Sequence, residues 1–315
     1  MKLMVLNSPE QISPFTKDVF SSLGCEGYLF NEKTDGEIIN KESVVYYYGD
    51  KLPEKTSLII FDVFLVPTLV VLKKYRHLKF IFIQHGLFSD LTIESRNKKR
   101  TLDWYKRSTI IAKRFLDNFG FTMSNIAILL RIMRSGPWSQ RDNLNELGLR
   151  VDHAIFWNKL DFENILTSFP HLICKHTLTL PPDFDKIKIK YNANAPCVYI
   201  SQPLVEDGIV SSEEYLNFTA KLRTKHDDVI IIRHPRQKII SNNDRLLSEV
   251  DEVLETSGVI GHFSSLLLSI GINIPVEYEC FDKASIQSYS KYIELSRQSL
   301  DKNFIKFHEA LKNEL

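Results

Sequence analysis

Three short motifs carry the residues best able to do chemistry: Glu206-Asp207-Gly208, His234-Pro235 and Ser264-Ser265. Each follows a short apolar run, so each is expected just beyond the carboxyl end of a β-strand. Open α/β sheets bind ligands in that crevice. A carboxylate there can take the proton of an attacking hydroxyl. An imidazole can donate to a departing phosphate, and hydroxyls and free amides at a helix N-terminus can hold that phosphate. Such a set suits transfer of a group from a phosphate to an alcohol.

Within the set, Asp207 or Glu206 is the candidate base, with Asp207 preferred, and Gly208 permits the tight turn that follows. Pro235 removes a ladder donor and ends its strand, which presents His234 at the sheet rim. Ser264 and Ser265 close the run Val259–Phe263 and open a helix; His262, two residues earlier, is a further phosphate contact. The first half of the chain has a counterpart, Gln84-His85-Gly86, after the apolar run Phe80–Ile83. His85 could orient an acceptor or replace the carboxylate as base, with Gln84 and Gly86 beside it. Gln11, in the segment after the first strand, is a fainter acceptor-side candidate.

No metal or cofactor is expected. The nearest approach to a metal-binding carboxylate pair is Asp183-Phe-Asp185, which no apolar strand precedes. Glycine-rich phosphate loops and a Gly-x-Ser-x-Gly elbow are absent from the sequence, which weakens kinase, dinucleotide-enzyme and hydrolase readings.

The elements that must position these residues follow from hydrophobic patterning. Leu3–Leu6, Gly27–Phe30, Val44–Tyr48, Leu58–Asp62, Phe80–Ile83 and His153–Trp157 are predicted strands, mostly continuous apolar runs as in a parallel sheet covered on both faces. Ser13–Leu23 and Pro67–Tyr75 are predicted crossover helices, and Ser95–Ile132 has helical spacing. The second half predicts strands at Cys197–Ile200, Val229–Arg233, Val259–His262 and Pro275–Tyr278. Helices are predicted at Ser212–Thr224, Asp244–Thr256 and Ser265–Gly271. His171–Pro196 shows no amphipathic period. The expected fold is therefore α/β of the GT-B type, two Rossmann-like domains facing across a cleft. Residues 1–180 form the acceptor-side domain, 181–196 a linker and 197–290 the nucleotide-donor domain. Residues 291–315 form a C-terminal helix returning to the first domain.

Composition sets limits. The 315 residues suit two domains, and 43% hydrophobic with 25% charged residues is ordinary for a globular chain. A net charge of +1 argues against nucleic acid as a partner. Cys25, Cys174, Cys197 and Cys280 are scattered, as free thiols in a reducing compartment would be. The amino terminus does not read as a signal peptide. The longest apolar run, Leu58–Leu72, carries Asp62 and Pro67 and falls short of the roughly 20 residues a spanning helix needs. A cytoplasmic protein is expected. From Arg96 to Arg114, eight lysines and arginines face one acid, Asp103, and the apolar stretch Phe115–Ile132 follows. Residues 96–132 could thus touch the inner membrane face or an anionic glycolipid.

The three motifs, in type and order, resemble those of bacterial sialyltransferases, closest to the lipooligosaccharide sialyltransferase family. The likeness is specific over about Val198–Ser269; the start, Asn7-Ser-Pro-Glu-Gln11, is loosely similar to that family's opening. The resemblance implies a GT-B fold and an inverting, metal-independent transfer. The donor would be CMP-sialic acid and the acceptor a lipooligosaccharide or capsular glycan. By that analogy Asp207 is the base, His234 supports the departing CMP phosphate, and Ser264 and Ser265 bind phosphate. Gln84-His85-Gly86 is more similar to enzymes using CDP-glycerol or CDP-ribitol and to Kdo transferases, which stand as the alternative enzyme class. A catalytically silent GT-B-like scaffold subunit is the alternative outside enzymes.

Overall fold

The computed structural model describes residues 1–7, 9–31, 43–61, 66–85, 102–135, 148–182, 189–206, 208–226, 228–234, 237–238, 245–246, 253–262, 266–270, 274–279, 281, 284–301 and 303–313. The described residues up to Leu180, joined by those from Asp301 onward, form one unit; those from Pro181 to Leu300 form the other.

Short runs of large apolar residues build the first unit's sheet: β1 (Lys2–Leu6), β2 (Gly27–Phe30), β3 (Val44–Tyr47), β4 (Ser57–Ile60), β5 (Lys79–Ile83), β6 (Val151–Phe156) and β7 (Ile173–Leu178). Their order is β3-β2-β1-β4-β5-β6-β7, with every pairing parallel. The direction of winding reverses between β1 and β4, which makes their carboxyl ends a topological switch point. Leu3, Met4, Leu58, Ile59 and Ile83 are fully buried, because helices cover both faces of the central strands.

Helix α1 (Pro14–Ser22) starts where Ser13 and Thr16 form a reciprocal capping box and Pro14 supplies a ready-made φ. Helices α2 (Val66–Lys74), α3 (Leu102–Phe119), α4 (Met123–Ser135) and α5 (Lys159–Ser168) complete this unit's main helices. The single helical stretch expected over Ser95–Ile132 is instead broken between α3 and α4. Gly120 there has φ +89°, a left-handed conformation that glycine adopts without a Cβ clash.

In the second unit, β9 (Cys197–Ile200), β10 (Val229–Arg233), β11 (Arg245–Leu246), β13 (Val259–Gly261) and β14 (Val276–Tyr278) form a parallel sheet of order β11-β10-β9-β13-β14. Its winding reverses between β9 and β13. β8 (Ile189–Tyr191) pairs with β12 (Leu254–Thr256) as a separate ribbon. Helix α6 (Ser212–Lys225) begins at a Ser211–Glu214 capping box and covers Tyr199, Ile231 and Ile260 with Leu222. α7 (Leu266–Ser269) is a single turn. From α8 (Ala284–Gln298), Arg297 donates to the carbonyls of Leu267, Ile270 and Ile274, which fastens the segment after α7. Two Rossmann-like α/β units, the pair that a GT-B chain comprises, are present.

Several expectations are corrected. The expected linker 181–196 contains β8, and β7 lies just before it in the stretch that shows no amphipathic period: an edge strand such as β7 pairs on one side only, so it needs no continuous apolar run and exposes Cys174, Lys175 and His176. The helix expected over Asp244–Thr256 is strand at Arg245–Leu246 and Leu254–Thr256, where pairing to β10 and β8 overrides local spacing. The carboxyl end is split as well. α8 belongs to the second unit, and only the residues from Asp301 return to the first. There the Leu180 amide donates to Ile305 O at 2.9 Å, and α9 (Phe307–Asn313) buries Phe307 against Phe15, ring centroids 5.9 Å apart. Among the described residues Cys25, Cys174 and Cys197 are free thiols, and no helix is long and apolar enough to cross a membrane.

Candidate functional site

In the second unit the sheet ladder itself sets the site. β9 and β10 are paired in parallel, Val229 opposite Cys197 through Ile232 opposite Ile200, so the residues that leave these strands emerge side by side. The chain leaving β9 runs Ser201-Gln-Pro-Leu and then turns through Glu206 to Gly208. The Gly208 amide donates to Val205 O at 2.9 Å, and Gly208 takes φ +68°. The turn expected from the glycine is present, and a side chain at that position would meet backbone strain.

The loop leaving β10 is tied to this turn by hydrogen bonds. The Gln237 amide donates to His234 O at 2.9 Å, closing a turn directly after the strand. Ser201 Oγ donates to the buried Gln237 Oε1 at 2.5 Å, which spends the hydroxyl proton; the Tyr215 hydroxyl at 2.8 Å therefore donates to Ser201. The Lys238 amide then donates to Glu206 Oε1. His234 and Glu206 thus belong to two loops held as one surface at the carboxyl end of the central strand pair.

Two polar atoms in this region stand out. Glu206 Oε2 is shielded from solvent and has no hydrogen-bond partner among the described residues, and the same holds for Arg233 Nε. A polar atom withdrawn from water without a hydrogen-bond partner costs about 1–3 kcal/mol, so such atoms are rare unless they serve something. Arg233 also reaches Gln237 O through Nη1 at 3.3 Å. Ser201, Arg233 and Gln237 escaped the sequence reading. The available signal was position: Ser201 and Arg233 border the same strand ends as the acid triplet and His234.

Of the other expected site residues, Asp207, Pro235, Ser264, Ser265 and Gly86 lie outside the described residues. The helix after the serine pair is only the single turn α7, so it offers far less dipole to an anion than the sequence reading assumed. His262 is corrected from phosphate contact to core residue. It is fully buried among Phe218, Phe281 and Tyr199. Its Nδ1 meets the Glu279 carbonyl, which can only accept, so Nδ1 carries the proton and Nε2 accepts from the Tyr199 hydroxyl at 2.8 Å. Burial pushes its pKa down to about 4 against the pull of the Glu279 hydrogen bond.

In the first unit Gln84 is likewise corrected. Its side chain is fully buried, donates to Asp161 Oδ2 at 2.6 Å, and accepts from the amides of Trp157 and Asn158, both at 3.0 Å. It fastens β5 to the start of α5 and has no free group for an acceptor. Gln11 is exposed, and its Oε1 accepts from the Asn7 amide at 2.7 Å, a local cap after β1. His85 is different. It leaves β5 beside the switch point with an exposed edge, flanked by the rings of Phe15 and Phe61, centroids at 5.0 and 5.8 Å. Desolvation by the flanking rings lowers its pKa from the ordinary histidine value.

Among the described residues one group could hold a metal ion: His226, Glu277 and Glu279. Lys225 Nζ already bridges both carboxylates, so a cation would have to displace an ammonium. The expected aspartate pair, Asp183 and Asp185, lies outside the described residues.

No family model matches the chain, and no curated protein matches it. Among solved structures, that of the glycotransferase of kitacinnamycin is similar at a TM-score of 0.43 and 8% identity, over 99% of this chain and 88% of that one. A likeness at that level carries no argument about activity.

Proposed function

We infer that the protein is a glycosyltransferase that uses a cytidine-nucleotide sugar, with the loops after β9 and β10 as its catalytic surface. The observation that carries this reading is Glu206: one carboxylate oxygen is held by the Lys238 amide while the other is shielded and lacks a donor among the described residues. A ligand hydroxyl would supply the missing hydrogen bond, and a carboxylate so placed can take that hydroxyl's proton. Attack of the acceptor oxygen on the anomeric carbon forms the new C–O bond as the bond to the nucleotide phosphate breaks. His234, leaving the adjacent strand, donates to the departing phosphate. Asp207 is the other candidate base in the same triplet. The sequence resemblance favours CMP-sialic acid as donor and a lipooligosaccharide or capsular glycan as acceptor, with inversion and without a metal.

Calorimetric titration with CMP, CDP and UDP, with and without divalent cation, comes first. Metal-free preference for CMP that His234→Ala abolishes is the expected result; tight UDP binding would exclude the donor class. In transfer assays with CMP-sialic acid, Glu206→Gln or Asp207→Asn should lower the rate roughly 100- to 10,000-fold, as loss of a general base does. Native rates in both, and in His234→Ala, would remove the reading. A second enzyme class has its own support in His85, the imidazole beside the rings of Phe15 and Phe61. For a Kdo or CDP-polyol transferase, CDP or CMP-Kdo would be preferred and His85→Ala would be as damaging as His234→Ala. Nucleotide binding with no turnover on any acceptor would favour the scaffold alternative.

A further inference from the structure

Helix α4 is apolar on two sides. Ile128 and Leu129 are buried against the first unit's core beside Phe115. Met123 and Leu130, by contrast, are 82% and 61% exposed, and Ala127 between them is exposed as well. Positions i, i+4 and i+7 share one face of a helix, so these three make a continuous outward apolar stripe. Phe121, in the turn before the helix, is 73% exposed and extends the stripe to the tip of the α3–α4 hairpin; Ile110 on α3 is 56% exposed.

The tip is a built structure. Asn125 Nδ2 donates to the carbonyls of Phe119 and Gly120 at 2.7 and 3.1 Å, and the Asn125 amide donates to Thr122 Oγ1 at 3.1 Å. The end of α3 and the start of α4 are therefore both capped, and the turn holds Phe121 and Met123 outward. Behind it, Arg114 donates to Asn31 O and stacks on Tyr48, and Lys73 lies over Phe119, which fixes the hairpin to its unit.

Charge identifies the occupant of this face. Residues 96–134 hold ten lysines and arginines against two acids, a net of +8 in a chain whose total is +1, so the remainder is net −7. Pairing this hairpin with its own copy would bring together two segments of strongly positive sequence. An apolar stripe on a hairpin whose sequence carries that charge is instead the pattern of a helix lying in the headgroup region of an anionic bilayer. We propose that the α3–α4 hairpin docks the protein on an anionic membrane surface, with Phe121, Met123 and Leu130 entering the interface. The inference stands apart from the transfer reading, since it needs neither nucleotide nor turnover.

Sedimentation of the full chain with large unilamellar vesicles tests it. Vesicles of equal parts phosphatidylglycerol and phosphatidylcholine should bind at least ~10-fold more protein than phosphatidylcholine alone, and added salt should weaken that binding. Phe121→Ser with Met123→Ser should lower partition ~10-fold, with thermal unfolding unchanged because both side chains are exposed. Equal binding to both vesicle types, no binding, or native partition by the double variant would overturn the proposal. A dimer in light scattering that the double variant converts to monomer would also overturn it, by assigning the stripe to a second copy.

Discussion

The residues after β9 and β13 show how one strand-end position can serve either chemistry or packing. Glu206 keeps an oxygen without a donor among the described residues, while His262 has both nitrogens committed inside the core. For His262 the consequence is a pH dependence of stability. Its folded pKa of about 4 lies below the unfolded value near 6.5, so the unfolded chain binds the extra proton in that window. The stabilisation is complete above pH 6.5 and is lost as pH falls toward 4, by about 3 kcal/mol in all. Urea unfolding of the native protein and of His262→Gln at pH 7 and pH 4.5 measures it; the variant should lose less stability over that interval. An equal pH slope in both would show that His262 is not buried neutral. Gln84 and His262 looked like site residues in the sequence because polar groups at strand ends are ambiguous until their partners are known. For Gln84 those partners, Asp161, Trp157 and Asn158, lie more than seventy residues away in the chain.

At the scale of elements, the contacts that matter are set by backbone approach. Gly27 opens β2 opposite Val44 of β3, and a Cβ there would lie 2.0 Å from Val44 O and 2.8 Å from its carbonyl carbon. Gly27→Ala therefore forces the edge strand away and should cost about 1–3 kcal/mol, as overpacking does. Amide exchange at residues 44–47 should accelerate in the variant; unchanged protection would mean that β3 can shift without loss. Central strands were legible because burial on both faces writes itself as a continuous apolar run, in β1, β4, β5, β9 and β10 alike. The edge strand β7 and the short β8, β11 and β12 were not legible. Their stability comes from a neighbour's ladder, and their own side chains carry little of the signal.

For the molecule as a whole, the chain's last segment completes its first unit. Thr179 and Ile305 form a parallel bridge, and Phe307, Ala310 and Leu311 are buried. Removal of residues from Asp301 onward should destabilise the first unit by roughly 1.5–3 kcal/mol for each of Phe307 and Leu311. In denaturant unfolding followed by exchange mass spectrometry, the transition of the strands up to β7 should move to lower denaturant while that of β9, β10 and β13 stays. A shift in both would mean that the two units unfold as one.

The amino-acid sequence by itself determined the α/β class, the repetition of that class in two units, the central strands, and the loops that carry Glu206, Gly208, His234 and His85. Those features are local: apolar runs, a strand-ending proline and a turn glycine act over a few residues. Tertiary structure decided which strand-end polar groups are spent on packing, where the edge strands pair, and that Ser201, Gln237 and Lys238 join the loops after β9 and β10. It also decided which face of α4 remains uncovered. Each of these depends on groups brought together from distant parts of the chain, and hydrogen-bond partners and burial exist only once that folding is complete.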